Sequence, residues 1–505
     1  MGVVRGEPFL REIREAKAST LAWGWPVVRK TVKVAVALAL FAAVLPLTGV
    51  AQSAVRCPST KPPKLAFGDP LFIDKERAGG EPVSQVAQDG SIIVSAHAGT
   101  THVYKDPEAA GGAGDFAGSY YNQTLNWRSE DGGESWEYIG LAGAPVGPHS
   151  PSSTGFSDPD LTMDASGKIY NVEIDLANVA VFASPDDGQS WPTANPVAAS
   201  GDRPWLTGAE ADEVFLYVNL PKQLWRSTNG GLTFELVTQD MPVDSKMLVD
   251  PLKPKTGLIG PAGAGIGISA DDGKTWKEYP GNLGNSTQFF GAVAVDRAGW
   301  AYAAAAGGYQ GSTDTDPNGT VTFNYFNRQT KKWKAQPIEI PTPKGDALWP
   351  WIIAGDDGRV AVVWYQTLAG KPNRFYIYAA YTTNAHGSYV KCSDGSRRFV
   401  PPQFSVANAS GRPIHSGKIC LSGTTCNANP SFEGGDRRLG DFFTVNFDHL
   451  GNIFIASGDT TLKSPTGGPK PVANPIFIKQ SQGEKMLKKP DKTRKTRCLF
   501  PLQSC

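Results

Sequence analysis

Short apolar stretches alternate with polar turns along most of the chain. In seven places an apolar run of strand length is followed by a turn rich in Asp and Gly and then by a second apolar run. This pattern is typical of a β-hairpin, because Gly and Asp adopt the backbone angles of tight turns. The seven predicted hairpins span residues 81–94, 160–170, 203–218, 246–259, 292–302, 350–363 and 443–455.

A second pattern, Ser-x-Asp-x-Gly-x-Ser/Thr-Trp, recurs between the hairpins. Its Asp can hold a turn by accepting hydrogen bonds from nearby backbone N–H groups, and its Gly permits a backbone angle that other residues resist. Its Trp can bury a large ring between neighbouring sheets. We therefore interpret the motif as structural and its Asp as non-catalytic. The copies are Ser129, Asp131, Gly133 and Trp136; Ser184, Asp186, Gly188 and Trp191; Ser269, Asp271, Gly273 and Trp276; and, in a softened form, Ser227, Asn229, Gly231 and Phe234.

The motif residues resemble the Asp-box, or BNR repeat, of sialidases and related β-propellers. Successive copies begin 55, 43 and 42 residues apart, and one four-stranded propeller blade needs about 40–50 residues. Seven hairpins at this spacing predict an all-β fold, a seven-bladed β-propeller over residues 65–485. A six-bladed propeller of the sialidase type is the alternative.

Composition and charge agree with this fold and exclude several classes of function. The chain has 56 Gly and 39 Pro among 505 residues, and both residue types favour turns over helices. With 49 basic and 48 acidic residues it lacks the basic excess of a nucleic-acid-binding protein. No phosphate-binding loop or Gly-x-Ser-x-Gly motif occurs, so nucleotide binding and serine hydrolase chemistry have no support.

The N-terminal residues predict export. Basic residues at 29–33 precede an apolar run at 34–51 that ends in small residues, as in a secretory signal peptide. We expect residues 1–53 to be a signal peptide with a long basic n-region, followed by a linker at 54–64. The protein would then be secreted, extracellular or periplasmic, and a membrane anchor retained at 34–51 is the alternative. Residues 486–505 are basic and predict a disordered tail.

Export would place the six cysteines in an oxidising compartment, where they can pair. Sequence spacing favours disulfides Cys420–Cys426 and Cys498–Cys505, each of which closes a short loop. Cys57 and Cys392 would then either pair at long range or stay free. Six cysteines permit many pairings, so spacing gives only a preference.

The resemblance implies a ligand site around the central channel, where the innermost strands begin. The residues expected there are charged, with one aromatic side chain. Such a ring suits a polyhydroxylated ligand, because carboxylates accept hydrogen bonds from hydroxyls and an indole stacks on a sugar ring. Ion pairs that bridge neighbouring blades are the alternative interpretation. The ring comprises Glu81, Asp158, Asp160, Asp202, Arg203, Asp346, Trp349, Arg437, Arg438 and Asp441.

The resemblance to sialidases also implies a catalytic set. That family uses three arginines to hold the substrate carboxylate, one of them in an Arg-Ile-Pro motif of the first blade, with a Tyr–Glu nucleophile pair and an acid/base Asp. This chain has Glu81 near the place of the first arginine, and a glutamate there would repel a sialic acid carboxylate. The residues that could replace the set are Arg203, Arg374 and Arg437 or Arg438 as arginines, and Tyr365, Tyr378 or Tyr381 as nucleophile.

We therefore expect a binding or scaffold module for a glycan or an exported protein. A diverged, exo-acting glycoside hydrolase of the sialidase type is the alternative. We expect a monomer with no nucleic-acid or nucleotide partner, and membrane contact only through an uncleaved 34–51 segment. Calcium is the one candidate cofactor. Asp314, Asp316 and Asn318 place oxygen ligands at alternate positions, as calcium loops do, although Pro317 and the β context favour a simple turn.

Overall fold

Most of the predicted propeller can be described in the computed structural model. The described residues are 55–97, 124–140, 158–175, 178–283, 290–309, 319–421, 436–465, 467–470 and 472–491. They form strands, turns and loops, and no helix long and apolar enough to cross a membrane occurs among them. The predicted signal peptide, the calcium-like residues Asp314, Asp316 and Asn318, and Cys426, Cys498 and Cys505 lie outside these ranges.

Seven antiparallel sheets follow one another along the chain, and each is one blade of a propeller. The strands of a blade pair in chain order, so each predicted hairpin supplies the first two strands of its blade. Blade 1 has β3 (Gly80–Val86), β4 (Ile92–His97), β5 (Thr124–Ser129) and β6 (Glu137–Gly140). Blade 2 has β7 (Asp160–Met163), β8 (Ile169–Asp175), β9 (Asn178–Ser184) and β10 (Thr193–Ser200). Blade 3 has β11 (Asp202–Gly208), β12 (Val214–Leu220), β13 (Gln223–Ser227) and β14 (Glu235–Gln239). Blade 4 has β15 (Leu248–Val249), β16 (Leu258–Ala262), β17 (Gly265–Ser269) and β18 (Lys277–Tyr279).

The remaining blades carry additional strands. Blade 5 has β19 (Ala292–Val295), β20 (Ala301–Gly307), β21 (Thr320–Asn327), β22 (Lys332–Trp333) and β23 (Ile338–Ile340). Blade 6 has β24 (Ala347–Ala354), β25 (Val360–Leu368), β26 (Lys371–Thr382), β29 (Ser405–Asn408) and β30 (His415–Ser416). A separate hairpin, β27 (Ser388–Lys391) and β28 (Arg397–Val400), is inserted between β26 and β29. Blade 7 has β31 (Thr444–Phe447), β32 (Ile453–Asp459) and β33 (Asn474–Gly483), with β1 (Leu65–Phe67) and β2 (Leu71–Phe72).

Both ends of the propeller sequence build blade 7, and this closes the ring. Strand β33 pairs antiparallel with β32 on one side and with β1 on the other, so an N-terminal strand becomes the outer strand of the last blade. Inner strands of neighbouring blades contact one another, including β3 of blade 1 with β31 of blade 7. The predicted all-β, seven-bladed propeller is confirmed, and the six-bladed alternative is wrong.

The direction of the strands divides the ring into two faces. Consecutive strands of a blade are antiparallel, so every inner strand begins at the same face, which we call the mouth face. The turns between first and second strands, and between third and fourth strands, lie on the opposite face. The four Ser-x-Asp/Asn-x-Gly motifs connect third to fourth strands and therefore lie away from the mouth.

The motif turns are held by a repeated set of hydrogen bonds. In blade 2 the Asp186 carboxylate accepts from Ser184 Oγ at 2.7 Å and from the Ser190 backbone N–H at 2.9 Å. Ser184 Oγ in turn accepts from the N–H of Gly188 at 2.8 Å. Burial alone would raise the pKa of Asp186, but the hydrogen bonds from Ser190 hold it below its ordinary value. The equivalent acceptors in blades 1, 3 and 4 are Asp131, Asn229 and Asp271.

The aromatic residues of these motifs pack between sheets. Trp136 of blade 1 meets Phe477 of blade 7, with ring centroids 5.2 Å apart. Trp191 and Trp276 pack beside the core shared by blades 1 to 4, and Phe234 packs against the core of blades 2 and 3. Each ring covers apolar surface that a single sheet leaves open.

A second set of hydrogen bonds joins neighbouring blades, and the sequence did not predict it. In blade 2 the Asp164 carboxylate accepts from Tyr170 Oη at 2.8 Å and from the backbone N–H of Asp212 in blade 3 at 2.9 Å. In blade 5, Asp296 accepts from Tyr302 Oη at 2.6 Å and from the N–H of Gly358 in blade 6 at 2.9 Å. The Asp of the first hairpin turn therefore links its blade to the next one.

The residues that flank the strands are also fixed to the ring. In the predicted linker, Cys57 forms a disulfide with Cys392 beside β27, across 335 residues of sequence. Of the two options for these cysteines, long-range pairing is the one observed. Cys420 is disulfide-bonded too, and its predicted partner lies outside the described residues. Residues 486–491, which the sequence assigned to a disordered tail, continue along the ring, with Met486 and Leu487 buried.

The Cys57–Cys392 bridge is expected to stabilise the closed ring. Replacing both residues with Ser should lower the free energy of unfolding by about 2–5 kcal/mol, because the bridge restricts the unfolded chain over a very long loop. Chemical denaturation under oxidising conditions measures this loss. With a reductant present, the double variant and the unaltered protein should converge, and a difference that persists would contradict the assignment.

The motif turn is expected to need an acceptor oxygen but not a negative charge, because blade 3 has Asn229 in the same position. Asp186→Asn should therefore change the free energy of unfolding little at neutral pH. Asp186→Ala leaves the turn N–H groups without their acceptor and should cost about 1–2 kcal/mol. Denaturant titration of the two variants distinguishes them, and equal losses would show that the charge itself holds the turn.

Candidate functional site at the mouth of the propeller

Four inner strands begin with the same unusual backbone feature at the mouth face. Glu81, Asp158, Arg203 and Trp349 have φ values of 47°, 53°, 53° and 48°, in the left-handed region that residues with a side chain seldom adopt. Each of the four is followed by proline. Strands β3 and β24 have register shifts at these points. Such strained positions cost free energy and are found most often at functional sites.

Glu81 lies at the centre of the charged cluster and is 2 % exposed. Its Oε1 accepts from the backbone N–H of Asp441 at 2.7 Å, whereas Oε2 has no hydrogen-bond partner in the described part of the chain. The side chain lies against Gly440, where an added Cβ would meet Glu81 Cγ at 2.1 Å, so this position requires glycine. Burial, followed by the charges of Asp158 and Asp441, raises the pKa of Glu81 well above its ordinary value. The two arginines Arg203 and Arg437 reduce this increase only in part.

Arg437 is neutralised within the cluster. Its guanidinium donates to both carboxylate oxygens of Asp441 and lies 4.0 Å from Glu81 Oε1. Burial would lower the pKa of Arg437, but Asp441 raises it above its ordinary value. The two residues therefore form a bidentate ion pair whose charges compensate each other.

Arg203 has no comparable partner. Its guanidinium carbon lies 3.6 Å from the ring centroid of Trp205, 4.2 Å from that of Phe442 and 5.3 Å from that of Phe290. The residue is 4 % exposed, and none of its three side-chain nitrogens has a hydrogen-bond partner among the described residues. Aromatic faces stabilise the charge but accept few hydrogen bonds, so these buried donors are not satisfied within the part of the chain that the structure describes.

Asp158 and Asp202 form a carboxyl pair beside Arg203. Their side chains are hydrogen-bonded to each other, which requires one proton to be shared between them. Partial burial, followed by the charge of Asp158, raises the pKa of Asp202 above its ordinary value.

Six of the ten predicted ring residues thus form one electrostatic cluster: Glu81, Asp158, Asp202, Arg203, Arg437 and Asp441. The other four have separate roles in the fold. Asp160 is paired with Lys246 Nζ at 2.7 Å and accepts from the backbone N–H of Leu206, so it joins blades 2, 3 and 4. Arg438 donates to Asp436 and to the carbonyl of Lys470, within the wall of blade 7.

Trp349 and Asp346 lie at the start of β24, the inner strand of blade 6. Trp349 is 2 % exposed and packs against Tyr365 with ring centroids 5.8 Å apart, in the core between blades 6 and 7. It is therefore unavailable for stacking on a sugar at the mouth. Asp346 is buried, and its backbone N–H donates to Thr367 Oγ1 at 2.8 Å.

The candidate sialidase residues do not gather at the cluster. Tyr365 is fully buried, bonded to Ser457 Oγ at 2.8 Å and stacked on Phe443. Tyr381 donates to the carbonyl of Lys485 at 2.9 Å, and burial raises its pKa to about 12. Tyr378 packs on Trp364. Arg374 is exposed on β26, where its strand neighbour is Ser416.

An aromatic plug lies next to Arg203. Trp205 stacks on Trp351 with centroids 5.7 Å apart, and Phe290 and Phe442 contact Trp205 at 5.3 and 5.4 Å. A channel cavity of about 310 Å³ is lined by the inner strands of six blades, and Trp351 belongs to its wall. The sequence showed Trp351 only as an apolar position of the sixth predicted hairpin, and Phe442 directly precedes the seventh. The plug depends on contacts between residues more than 80 positions apart.

One group of side chains has the spacing of a metal site. Ligand atoms of Asp296, Asp357 and His386 lie within 4.8 Å of one another. The Asp296 carboxylate already accepts from Trp300, Tyr302 and the next blade. His386 is bonded to Asp357 and stacked on Trp300. These contacts explain the group as part of the blade 5 and blade 6 turns.

Asp244, in the connection from β14 to β15, is a further half-buried carboxyl on the mouth side that the sequence did not indicate. Its Oδ2 accepts from the N–H of Gly263 at 3.0 Å, and the backbone of Gly291 also donates to the carboxylate. Burial raises the pKa of Asp244 to about 6.

The raised pKa of Asp244 predicts that stability falls as the pH rises from about 4 to about 6, because the folded protein holds this proton more tightly than the unfolded chain. Asp244→Asn should remove this part of the pH dependence, an effect of at most about 3 kcal/mol at neutral pH. Denaturation at pH 4 and pH 7 measures it. Asp240→Asn, at an exposed position of the same connection, is the control, and an unchanged pH profile in Asp244→Asn would contradict the prediction.

Comparison with known proteins adds a fold likeness. No family model and no curated protein matches the chain. Similar solved structures include a GH74 enzyme from Niastella koreensis, at 13% identity over 81% of this chain and 61% of that one, with a TM-score of 0.44. YCF48 from Cyanidioschyzon merolae is 10% identical over 82% and 98%, with a TM-score of 0.39. The Hadza microbial sialidase Hz136 is 14% identical over 58% and 66%, with a TM-score of 0.37. Similarity at this level transfers no function.

Proposed function

We propose that this chain is a secreted or surface-attached, sialidase-like Asp-box propeller that binds a glycan at its mouth and acts as a binding or scaffold module. The observation that carries the proposal is Arg203. Its buried guanidinium has three nitrogens that find no acceptor among the described residues, and the lost hydration is unfavourable unless a ligand supplies acceptors. Hydroxyl and ring oxygens of a sugar are suitable acceptors.

The charge of the cluster supports an uncharged ligand. Asp441 compensates Arg437, and the hydrogen-bonded carboxyl groups of Asp158 and Asp202 lie beside Arg203. Glu81, whose pKa is raised, adds a carboxyl that can donate or accept. Because four carboxyl groups accompany two arginines, an anionic ligand gains little attraction here. A neutral, polyhydroxylated ligand matches the mixture of donors and acceptors.

Hydrolysis of the sialidase type is the weaker alternative. Only Arg203 and Arg437 of the candidate arginines belong to the cluster, and Arg437 is already occupied by Asp441. Tyr365, Tyr378 and Tyr381 are all held elsewhere. We therefore propose that recognition at the mouth proceeds without cleavage.

Export of the protein is part of the same proposal. The Cys57–Cys392 disulfide fits an oxidising compartment outside the cytosol. The apolar run at 34–51, with its basic flank, supports either a cleaved signal peptide or an anchor. Both outcomes place the mouth where it can meet extracellular glycans.

A combined binding and turnover screen tests the proposed function. Neutral and sialylated oligosaccharides on an array, followed by calorimetry on the positive glycans, should show binding to neutral glycans that weakens at least tenfold in Arg203→Ala, since a charge-assisted set of hydrogen bonds is lost. Fluorogenic glycosides, including a sialoside, should show no turnover.

Two further variants control for folding and for charge. Arg203→Lys keeps the charge but removes the planar fork of donors, so it should also weaken binding while remaining folded. Arg297→Ala removes an arginine that is half exposed and lies away from the mouth, and it should bind normally. Turnover of the sialoside, or equal binding by Arg203→Ala and the unaltered protein, would overturn the proposal.

A further inference from the structure

A basic surface lies on the face of the ring opposite the mouth. It consists of two segments, residues 55–64 before β1 and residues 387–400 with the β27–β28 hairpin, and we call it the basic rim. The hairpin connects the third and fourth paired strands of blade 6, which places it away from the mouth. The basic rim is therefore separate from the cluster around Arg203.

The basic rim has a strong excess of positive charge. It contains six basic residues and one acidic residue, and all seven are exposed. The rest of residues 52–483 carries 29 basic and 42 acidic residues, a net charge of −13. No ion pair with a carboxylate engages any of the six cations among the described residues. The cations are Arg56, Lys61, Lys64, Lys391, Arg397 and Arg398, and the acidic residue is Asp394.

The fold holds these like charges together. The Cys57–Cys392 disulfide joins the two segments, and Ser393 donates its N–H to the carbonyl of Arg56 at 2.8 Å. Within the hairpin, Lys391 lies directly across from Arg397. Like charges in such a cross-strand pair are destabilising, and an anion lying over them would offset the repulsion.

Aromatic side chains accompany the cations. Tyr389 is paired across the hairpin with Phe399, their ring centroids are 5.3 Å apart, and they are 67 % and 43 % exposed. They lie on the same face of the hairpin as Lys391 and Arg397, because side chains alternate along a strand. A cavity of about 340 Å³ next to them is lined by both segments, including Ser59, Thr60, Arg398 and Phe399.

We propose that the basic rim binds an acidic polysaccharide. Its cations would pair with the carboxylate or sulfate groups, and Tyr389 and Phe399 would pack on the sugar faces, as aromatic rings do in ligand sites. The acidic remainder of the ring repels a polyanion, so the long-range field directs such a chain to this surface. The disulfide that builds the rim forms in the oxidising compartments outside the cytosol, where an acidic polysaccharide is met.

Affinity chromatography on immobilised heparin and polygalacturonate, with uncharged dextran as reference, tests this inference on the full chain. The unaltered protein should be retained on both polyanions and not on dextran. Lys391→Ala/Arg397→Ala/Arg398→Ala should elute at clearly lower salt and bind at least about tenfold more weakly, since fewer counterions are released. Tyr389→Ser should weaken binding by a smaller factor.

A matched variant distinguishes the rim from general charge. Lys253→Ala/Lys255→Ala/Lys274→Ala removes the same charge from exposed positions of blade 4 on the same face and should elute like the unaltered protein. Equal shifts in the two triple variants would overturn the inference. So would retention on anionic phospholipid vesicles together with no retention on either polysaccharide, which would indicate a lipid surface. Neutral glycan binding at the mouth should be unchanged in the rim variants, so the two proposals can fail independently.

Discussion

Closure of the ring is the constraint on which the rest of the structure depends. Each blade is a sheet with two apolar faces, and a single such sheet cannot bury both. Seven sheets arranged in a circle bury both faces of every blade, but only if the last blade meets the first. Blade 7 achieves this by pairing β33 with β1 and by packing β31 and β32 against β3. The N-terminal strand is therefore as important to the ring as the strands that follow it.

Closure also creates the site at the mouth. Inner strands that are far apart in sequence must start at one face and point toward one axis. Glu81 and the Asp441 backbone, 360 residues apart, consequently share a hydrogen bond. The backbone is left-handed at Glu81, Asp158 and Arg203, each of which precedes a proline, and this conformation directs the three side chains into the crowded space. The strain is compensated by the packing of the ring, because inner strands fixed on both sides leave the backbone little freedom to relax.

Local features of the fold could be predicted from the sequence, whereas the details of the site could not. The paired residues of the hairpins and of the motif turns lie within 19 positions of one another, so their pattern is visible along the chain. Of the ten ring candidates that the sequence offered, six lie in the cluster at the mouth and four do not. Their roles differ because partners come from other blades: Asp160 meets Lys246, Arg438 meets Asp436, and Trp349 enters the core behind Tyr365. A residue followed by proline occurs at the start of four inner strands, and this repeated dipeptide could have indicated the mouth from the sequence. It indicates a strained backbone but says nothing about which charges meet there.

The two surfaces proposed for ligands differ in the sign and burial of their charges, and the near-zero net charge of the whole chain does not show this difference. At the mouth, charges of both signs are buried together, and among the described residues the polar atoms of the cluster without a hydrogen-bond partner are the Arg203 nitrogens, Glu81 Oε2 and Arg437 Nε. Such a site selects by hydrogen-bond geometry and is little affected by salt. On the basic rim, exposed cations are held close together by a disulfide, so the attraction of an anionic ligand is long-ranged and sensitive to salt. A neutral glycan and an acidic one could therefore be bound at once, on opposite faces of one ring. Because the rim is fixed to the closing blade through residues 55–67, binding there would also favour the closed ring on which the mouth depends.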